Sequence, residues 1–233
     1  MNRSIFQMVQ RFSLAGSHTL LLFAFIGIIL FGVPVTKTLA DEKRPYWSAE
    51  FKLGQFHPNL DDWDRFYSDD NMNQYSVALA YKVLRQLEIG LEASYMSEDG
   101  RGVLPLNNQV GGEVDYTLVP VSAYIILRAI FSENQLVVPY VGGGVTRMSY
   151  KQNVTAGDET KGNTNGIYYK AGIQLLLDRI DLGAAQAVQR DFGVDNTYLF
   201  FEFAKTTAKI DDTGGNEVDL GGQSYFLGLL LEF

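Results

Sequence analysis

The sequence contains no cysteine and only two histidines in 233 residues. No disulfide can staple the fold, and no thiolate can hold a metal or run a redox couple. Basic charge is short as well. Nineteen lysines and arginines stand against 27 acids, for a formal net charge of −8, which argues against a nucleic-acid-binding surface. Past Asp41 there is no apolar run long enough for a membrane-spanning helix. Yet apolar residues make up 46% and aromatics 13% of the chain, too much for intrinsic disorder.

The apolar residues are unevenly spread. Between Phe12 and Thr36 there is no Asp, Glu, Lys or Arg, and Leu20–Val33 is almost wholly aliphatic, aromatic or small. Arg3 and Arg11 lie before this stretch; Pro34 and Thr38-Leu39-Ala40 come after it. A basic start, a short apolar core, a helix breaker and small exit residues describe a secretory signal peptide over residues 1–40, cleaved after Ala40. The rival is an uncleaved anchor, but the apolar core falls short of the roughly 20 residues a spanning helix needs. Cleavage would remove Arg3, Arg11 and Lys37 and no acid, leaving residues 41–233 more acidic than the whole chain.

Beyond Asp41 the chain alternates. Trp47, Ala49, Phe51 and Leu53 oppose Ser48, Glu50, Lys52 and Gly54; Tyr75, Val77, Leu79 and Tyr81 oppose Ser76, Ala78, Ala80 and Lys82. The same period runs through Leu87–Tyr95, Val119–Arg128, Ile167–Leu177 and Tyr225–Phe233, and less cleanly through Pro139–Tyr150 and Asn196–Thr206. A period of two is the mark of a strand with one apolar face, and the count comes to eight. Arg85-Gln86 is a tight turn, whereas His57–Asn73, Ser97–Glu113, Lys151–Asn165 and Thr207–Gly221 are long and polar. Short turns at one end and long loops at the other predict an all-β, eight-stranded antiparallel transmembrane β-barrel of up-and-down topology over residues 41–233, with both termini at the periplasmic end. Asp181–Phe192 breaks the pattern with helical spacing, which predicts a short helix in a periplasmic connection.

A soluble barrel would turn the apolar face inward; a membrane barrel turns it to lipid. Aromatics favour the membrane barrel. Phe56, Tyr75, Tyr95, Tyr116, Tyr150 and Tyr225 gather near the long loops, Trp47 and Phe233 at the other end, as two interfacial girdles. The opposite face carries charge in mid-strand, which a dry ligand pocket would not tolerate unpaired. Five of those charges are Glu50, Glu88, Glu92, Glu202 and Glu232, and four are Lys52, Lys82, Arg128 and Lys170. In a bore only wide enough for side chains, this near-balance predicts mutual ion pairs that fill the lumen.

Two segments carry a family resemblance. Pro120–Phe131 with Pro139-Tyr140-Val141-Gly142-Gly143-Gly144 after it resembles the central hairpin of the small outer-membrane barrels of the OmpA/OmpW type. Tyr225, Leu227, Leu229, Leu231 and Phe233 resemble the C-terminal signal read by the barrel assembly machinery. Gln55–Tyr67 and Leu177–Glu202 resemble an uncharacterised branch of the kind found in myxobacteria. The resemblance implies a bacterial outer-membrane location. It also implies outer-membrane lipid, lipopolysaccharide and the assembly machinery as partners, a monomer, and neither cofactor nor nucleic acid.

Specific chemistry is thin. His57, with Ser68 or Ser76, is the one combination that echoes lipid A-modifying barrels, and spacing alone cannot supply a triad. The loop acids Asp61, Asp62, Asp64, Asp69, Asp70, Glu98, Asp99, Asp158, Glu159, Asp211 and Asp212 suit hard cations but form no EF-hand pattern, so a solvated acidic rim is the plainer reading and no metal site is expected. Leu60, Trp63, Phe66 and Tyr67 have helical spacing and suggest a cap on the barrel mouth. The leading expectation is a non-enzymatic structural or interaction protein showing Leu60–Tyr67 and Val103–Val110 to the exterior. A narrow channel or transporter comes second and a lipid A hydrolase third.

Overall fold

A computed structural model describes residues 45–59, 63, 71–103, 110–132, 135–154, 160–211 and 217–233. The signal-peptide expectation and most of the first loop, including Leu60, Phe66, Tyr67, Ser68 and its acids, lie outside the described residues.

Among the described residues ten strands form: β1 (Trp47–Pro58), β2 (Met72–Lys82), β3 (Leu87–Val103), β4 (Val110–Arg128), β5 (Val137–Val154), β6 (Thr160–Leu176), β7 (Asn196–Thr207), β8 (Lys209–Asp211), β9 (Glu217–Asp219) and β10 (Gly222–Glu232). Eight of them close into an antiparallel barrel in the order β1-β10-β7-β6-β5-β4-β3-β2, while β8 and β9 pair as a separate hairpin. Closure leaves the barrel no sheet edge, so each of its eight strands has two partners. From Ser48 the pairing passes through Ala80, Gly90, Tyr124, Gly144, Tyr168, Thr206 and Gly222 and returns to β1 at Pro58, ten residues along from its start. That stagger means the strands are strongly tilted, in the range of about 35–45° usual for such barrels.

The register decides which side chains meet. Facing residues in neighbouring strands are both even-numbered or both odd-numbered, up to a bulge between Arg101 and Val103. All eight barrel strands therefore turn their even-numbered residues into the bore. At mid-barrel the odd residues Phe51, Val77, Ile125, Val145 and Ile173 are exposed outward, and the even residues Glu50, Lys52, Glu92, Lys170 and Glu202 are buried.

Toward the long-loop end this pattern inverts. Outward Tyr75, Tyr95, Tyr169 and Tyr225 form a ring, beyond which the outer face bears Asn73, Asp115, Ser149, Lys151 and Asn163. Over the same rungs the bore carries Phe56, Met72, Met96, Tyr116, Leu118 and Met148. The strands thus run past the aromatic ring, and much of what the polar spacing marked as loop in Ser97–Glu113 and Lys151–Asn165 is strand. Two expectations are corrected. Phe56 and Tyr116 are buried in the bore and Tyr150 packs against them, so none belongs to the outer girdle. The Thr207–Gly221 connection contains the β8–β9 hairpin.

The expected helix is present as α1 (Leu182–Phe192), between β6 and β7 after a short 3-10 turn at Leu177–Arg179. Asp181 caps it, its Oδ1 accepting from the Ala184 amide at 3.0 Å. Gly193, at φ 71°, ends it in the left-handed region while its amide donates to the Gln189 carbonyl.

Candidate functional site in the barrel bore

The bore is filled in three tiers. In the middle, Lys52 Nζ donates to Glu92 and Glu202, both at 2.7 Å, and lies 3.5 Å from Glu50. Lys170 Nζ reaches Glu92 at 3.2 Å, Glu202 at 3.5 Å and Glu50 at 3.8 Å. Tyrosines complete the set. Tyr140 Oη donates to Glu202 at 2.8 Å, Tyr168 Oη donates to Glu92 at 3.0 Å, and Lys170 Nζ sits 3.7 Å from the centre of the Tyr124 ring. Glycines make room for these rings. A Cβ at Gly90 would lie 2.5 Å from Tyr124 Cζ, and one at Gly172 would lie 2.6 Å from Tyr140 Cζ.

A second charged tier lies toward the chain termini. Arg128 Nη1 donates to Glu88 at 2.7 Å and to Glu232 at 2.5 Å, and Lys82 pairs with Glu232. Ser48 Oγ donates to Glu88 at 3.2 Å and Asn196 Nδ2 to Glu232 at 2.8 Å. This tier balances two acids with two cations. The middle tier sets three acids against two lysines, and Glu50 Oε2 accepts no hydrogen bond among the described residues. Buried ion pairs hold together only when hydrogen bonds offset desolvation, and removing one partner costs about 3–5 kcal/mol.

Between the middle tier and the mouth lie the hydroxyl pairs Ser76–Ser94 (2.6 Å) and Ser122–Thr146 (2.9 Å). Above them the third tier is apolar. Met72, Met96 and Met148 are fully buried among Phe56, Leu118 and Tyr116, and Trp63 stacks edge-on against Tyr116 with ring centres 5.5 Å apart. Of the predicted mouth cap, Trp63 is the one described residue, and it is turned into the bore rather than shown to the exterior. The β8–β9 hairpin borders this tier through Asp219, whose carboxylate accepts from the Ala208 and Gly221 amides at 2.8 and 2.9 Å and from Asn59 Nδ2 at 3.1 Å. Partial burial pushes the Asp219 pKa up, but these hydrogen bonds outweigh it and hold the carboxyl below the usual range.

The eight charged residues singled out in the sequence (Glu50, Lys52, Lys82, Glu88, Glu92, Arg128, Lys170 and Glu202) all face the bore and meet in these two tiers. Tyr140 and Tyr168 were missed as partners. Even-numbered parity, extended from charges to aromatics, is the signal that marks them. Tyr225, Leu227, Leu229 and Leu231 form an outward stripe on β10, the strand that closes on β1, and Phe233 follows one residue beyond its end. His57 and Ser76 are not brought together. His57 meets Tyr225 edge-on with ring centres 5.7 Å apart, while Ser76 faces inward. No group of three or more His, Asp or Glu is placed to hold a metal among the described residues.

Residues 23–219 match the family model of the outer membrane protein beta-barrel domain. The chain belongs to that family. Its structure is similar to OprG of Pseudomonas aeruginosa, with a TM-score of 0.57 at 13% identity over 82% of this chain and 97% of that one. Neisserial surface protein A gives 0.49 at 10% identity, over 81% and 96% of the two chains. Ail of Yersinia pestis gives 0.48 at 13% identity, over 82% and 100%. At 13% identity the likeness to OprG speaks for the fold alone. None of the curated proteins matches the chain by sequence. For this outer membrane beta-barrel family member, the exposed apolar band below the tyrosine ring is the lipid-facing surface, and the inverted rungs above it stand outside the bilayer.

Proposed function

We propose that the protein is a non-enzymatic outer-membrane barrel with a structural or interaction role, its lumen closed by its own side chains. The observation that carries this is the stacking of two chemically different seals in one bore, ion pairs at membrane level and a methionine- and aromatic-packed mouth above. A conduit needs neither seal, whereas a rigid platform gains from both. The inverted rungs then hold a polar outer wall beyond the membrane, where lipopolysaccharide headgroups or a partner surface can meet it. The stripe from Tyr225 to Phe233 would serve the assembly machinery during insertion, after removal of a signal peptide over residues 1–40.

A narrow channel is the second reading. It draws on Glu50, whose Oε2 accepts no hydrogen bond among the described residues, and on Arg128, whose Nε and Nη2 donate none among them. Planar-bilayer recording separates the two. A closed lumen gives no steady conductance steps in wild-type protein. Reproducible steps that Arg128→Ala or Glu92→Ala alters would replace the platform with the channel.

A further inference from the structure

The short-connection end of the barrel, periplasmic in this class of protein, exposes more apolar surface than turns require. Leu84 is exposed in the β2–β3 turn and Phe131, 87% exposed, in the β4–β5 connection. Ile180, Leu182 and Phe192 are exposed in the β6–β7 connection, Phe192 at 74%. In the closed strand order these three connections occupy three quadrants of the rim, and Phe233 exposes its ring in the fourth, where β1 meets β10. Helix α1 buries none of its residues. Its spacing sets Leu182, Ala185 and Phe192 along one flank and puts Arg190 about 80° from Leu182 and about 160° from Phe192 around the helix axis.

We propose that this rim is a lipid-docking surface, with α1 lying in the periplasmic-leaflet interface and Leu182, Phe192, Ile180 and Phe131 in the acyl-chain boundary. Two observations select lipid over a protein partner. At the β4–β5 connection the apolar surface joins the lipid-facing band, since Leu127 and Val137, the last outward residues of β4 and first of β5, are themselves exposed. It is also distributed around the whole circumference, as a bilayer surface demands, whereas a partner docks on one side. An amphipathic helix seated this way sinks about 5–10 Å into the headgroup–acyl boundary. The rim then anchors the barrel's depth independently of whether its lumen conducts.

The absence of cysteine allows a clean test. Single substitutions Phe192→Cys, Leu182→Cys, Phe131→Cys and Arg190→Cys are nitroxide-labelled and reconstituted in phosphatidylcholine–phosphatidylglycerol vesicles, with heat-modifiable migration confirming a closed barrel. Collisions with oxygen, which partitions into lipid, are compared with collisions with a water-soluble nickel chelate. Labels at 131, 182 and 192 are expected to favour oxygen and the label at 190 to favour nickel. Nickel preference at all four positions would overturn the proposal. So would spin–spin broadening at 192 that disappears on dilution with unlabelled protein, because a second copy of the chain would then be the occupant.

Discussion

The two ends of the bore obey opposite rules although the same strands build both. At membrane level the inner face is charged and the outer face apolar; above the Tyr75, Tyr95, Tyr169 and Tyr225 ring the inner face is apolar and the outer polar. Solvent decides the difference. Where lipid surrounds the barrel, the outer residues must be apolar, and the bore is the one place for charge that can be paired across the interior. Where water surrounds it, the ordinary globular arrangement returns and the interior packs as a dry core. Register is continuous through the change, so β5 passes from outward Val145 to outward Ser149 without moving either residue off its side. A barrel strand is in this sense two proteins end to end.

Removing a cation from the charged half puts this contrast under the greatest strain. Lys52→Met leaves Glu92 and Glu202 short of their nearest donor, and a loss of about 3–5 kcal/mol is expected from urea unfolding in vesicles. Adding Glu202→Gln to that background should recover part of the loss, because the unpaired charge is removed with it. In the apolar half, Met148→Ala is expected to cost about 2–5 kcal/mol through cavity formation, with no recovery from charge neutralisation in the other half. A similar partial rescue of both substitutions by Glu202→Gln would mean that the two halves are not separate.

A smaller effect is expected at the border of the mouth. Asp219 has a depressed pKa, so its stabilising hydrogen bonds are present at neutral pH. They are lost as the pH falls through that lowered value, below the ordinary carboxylate range. The protection of the Ala208 and Gly221 amides, taken relative to their intrinsic exchange rates at each pH, should fall over that acid window, and Asp219→Asn should remove most of that fall. The smallest effect is expected at His57, which faces away from Ser76. Lipid A mass spectra should be the same with wild-type protein and with His57→Ala, and a modified lipid species lost in the variant would reopen the hydrolase reading.

The strands, the short helix and the inward charges were legible because each rests on local spacing, and the eight bore residues all fall on the face their alternation assigns. The inversion was not legible strand by strand. Rungs such as Met96-Ser97-Glu98-Asp99 and Ser149-Tyr150-Lys151 keep a period of two, but pairing with neighbours alone decides which side is inside. Judged singly, Phe56, Tyr116 and Tyr150 look like girdle aromatics, and polar odd positions look like loop. The β8–β9 hairpin has three-residue strands, too short for periodicity to register. Tyr140 and Tyr168 bind the acids across the bore, a relation set by closure rather than by sequence distance.

The most direct measurement uses the three mouth methionines as internal reporters. Met72, Met96 and Met148 are each 0% exposed, and a sealed mouth keeps oxidant from all three. Protein folded in vesicles, treated with dilute hydrogen peroxide and digested for mass spectrometry, should show all three thioethers resisting oxidation far longer than in unfolded protein. Sulfoxide forming in the folded barrel as fast as in the unfolded chain would contradict a packed, closed mouth.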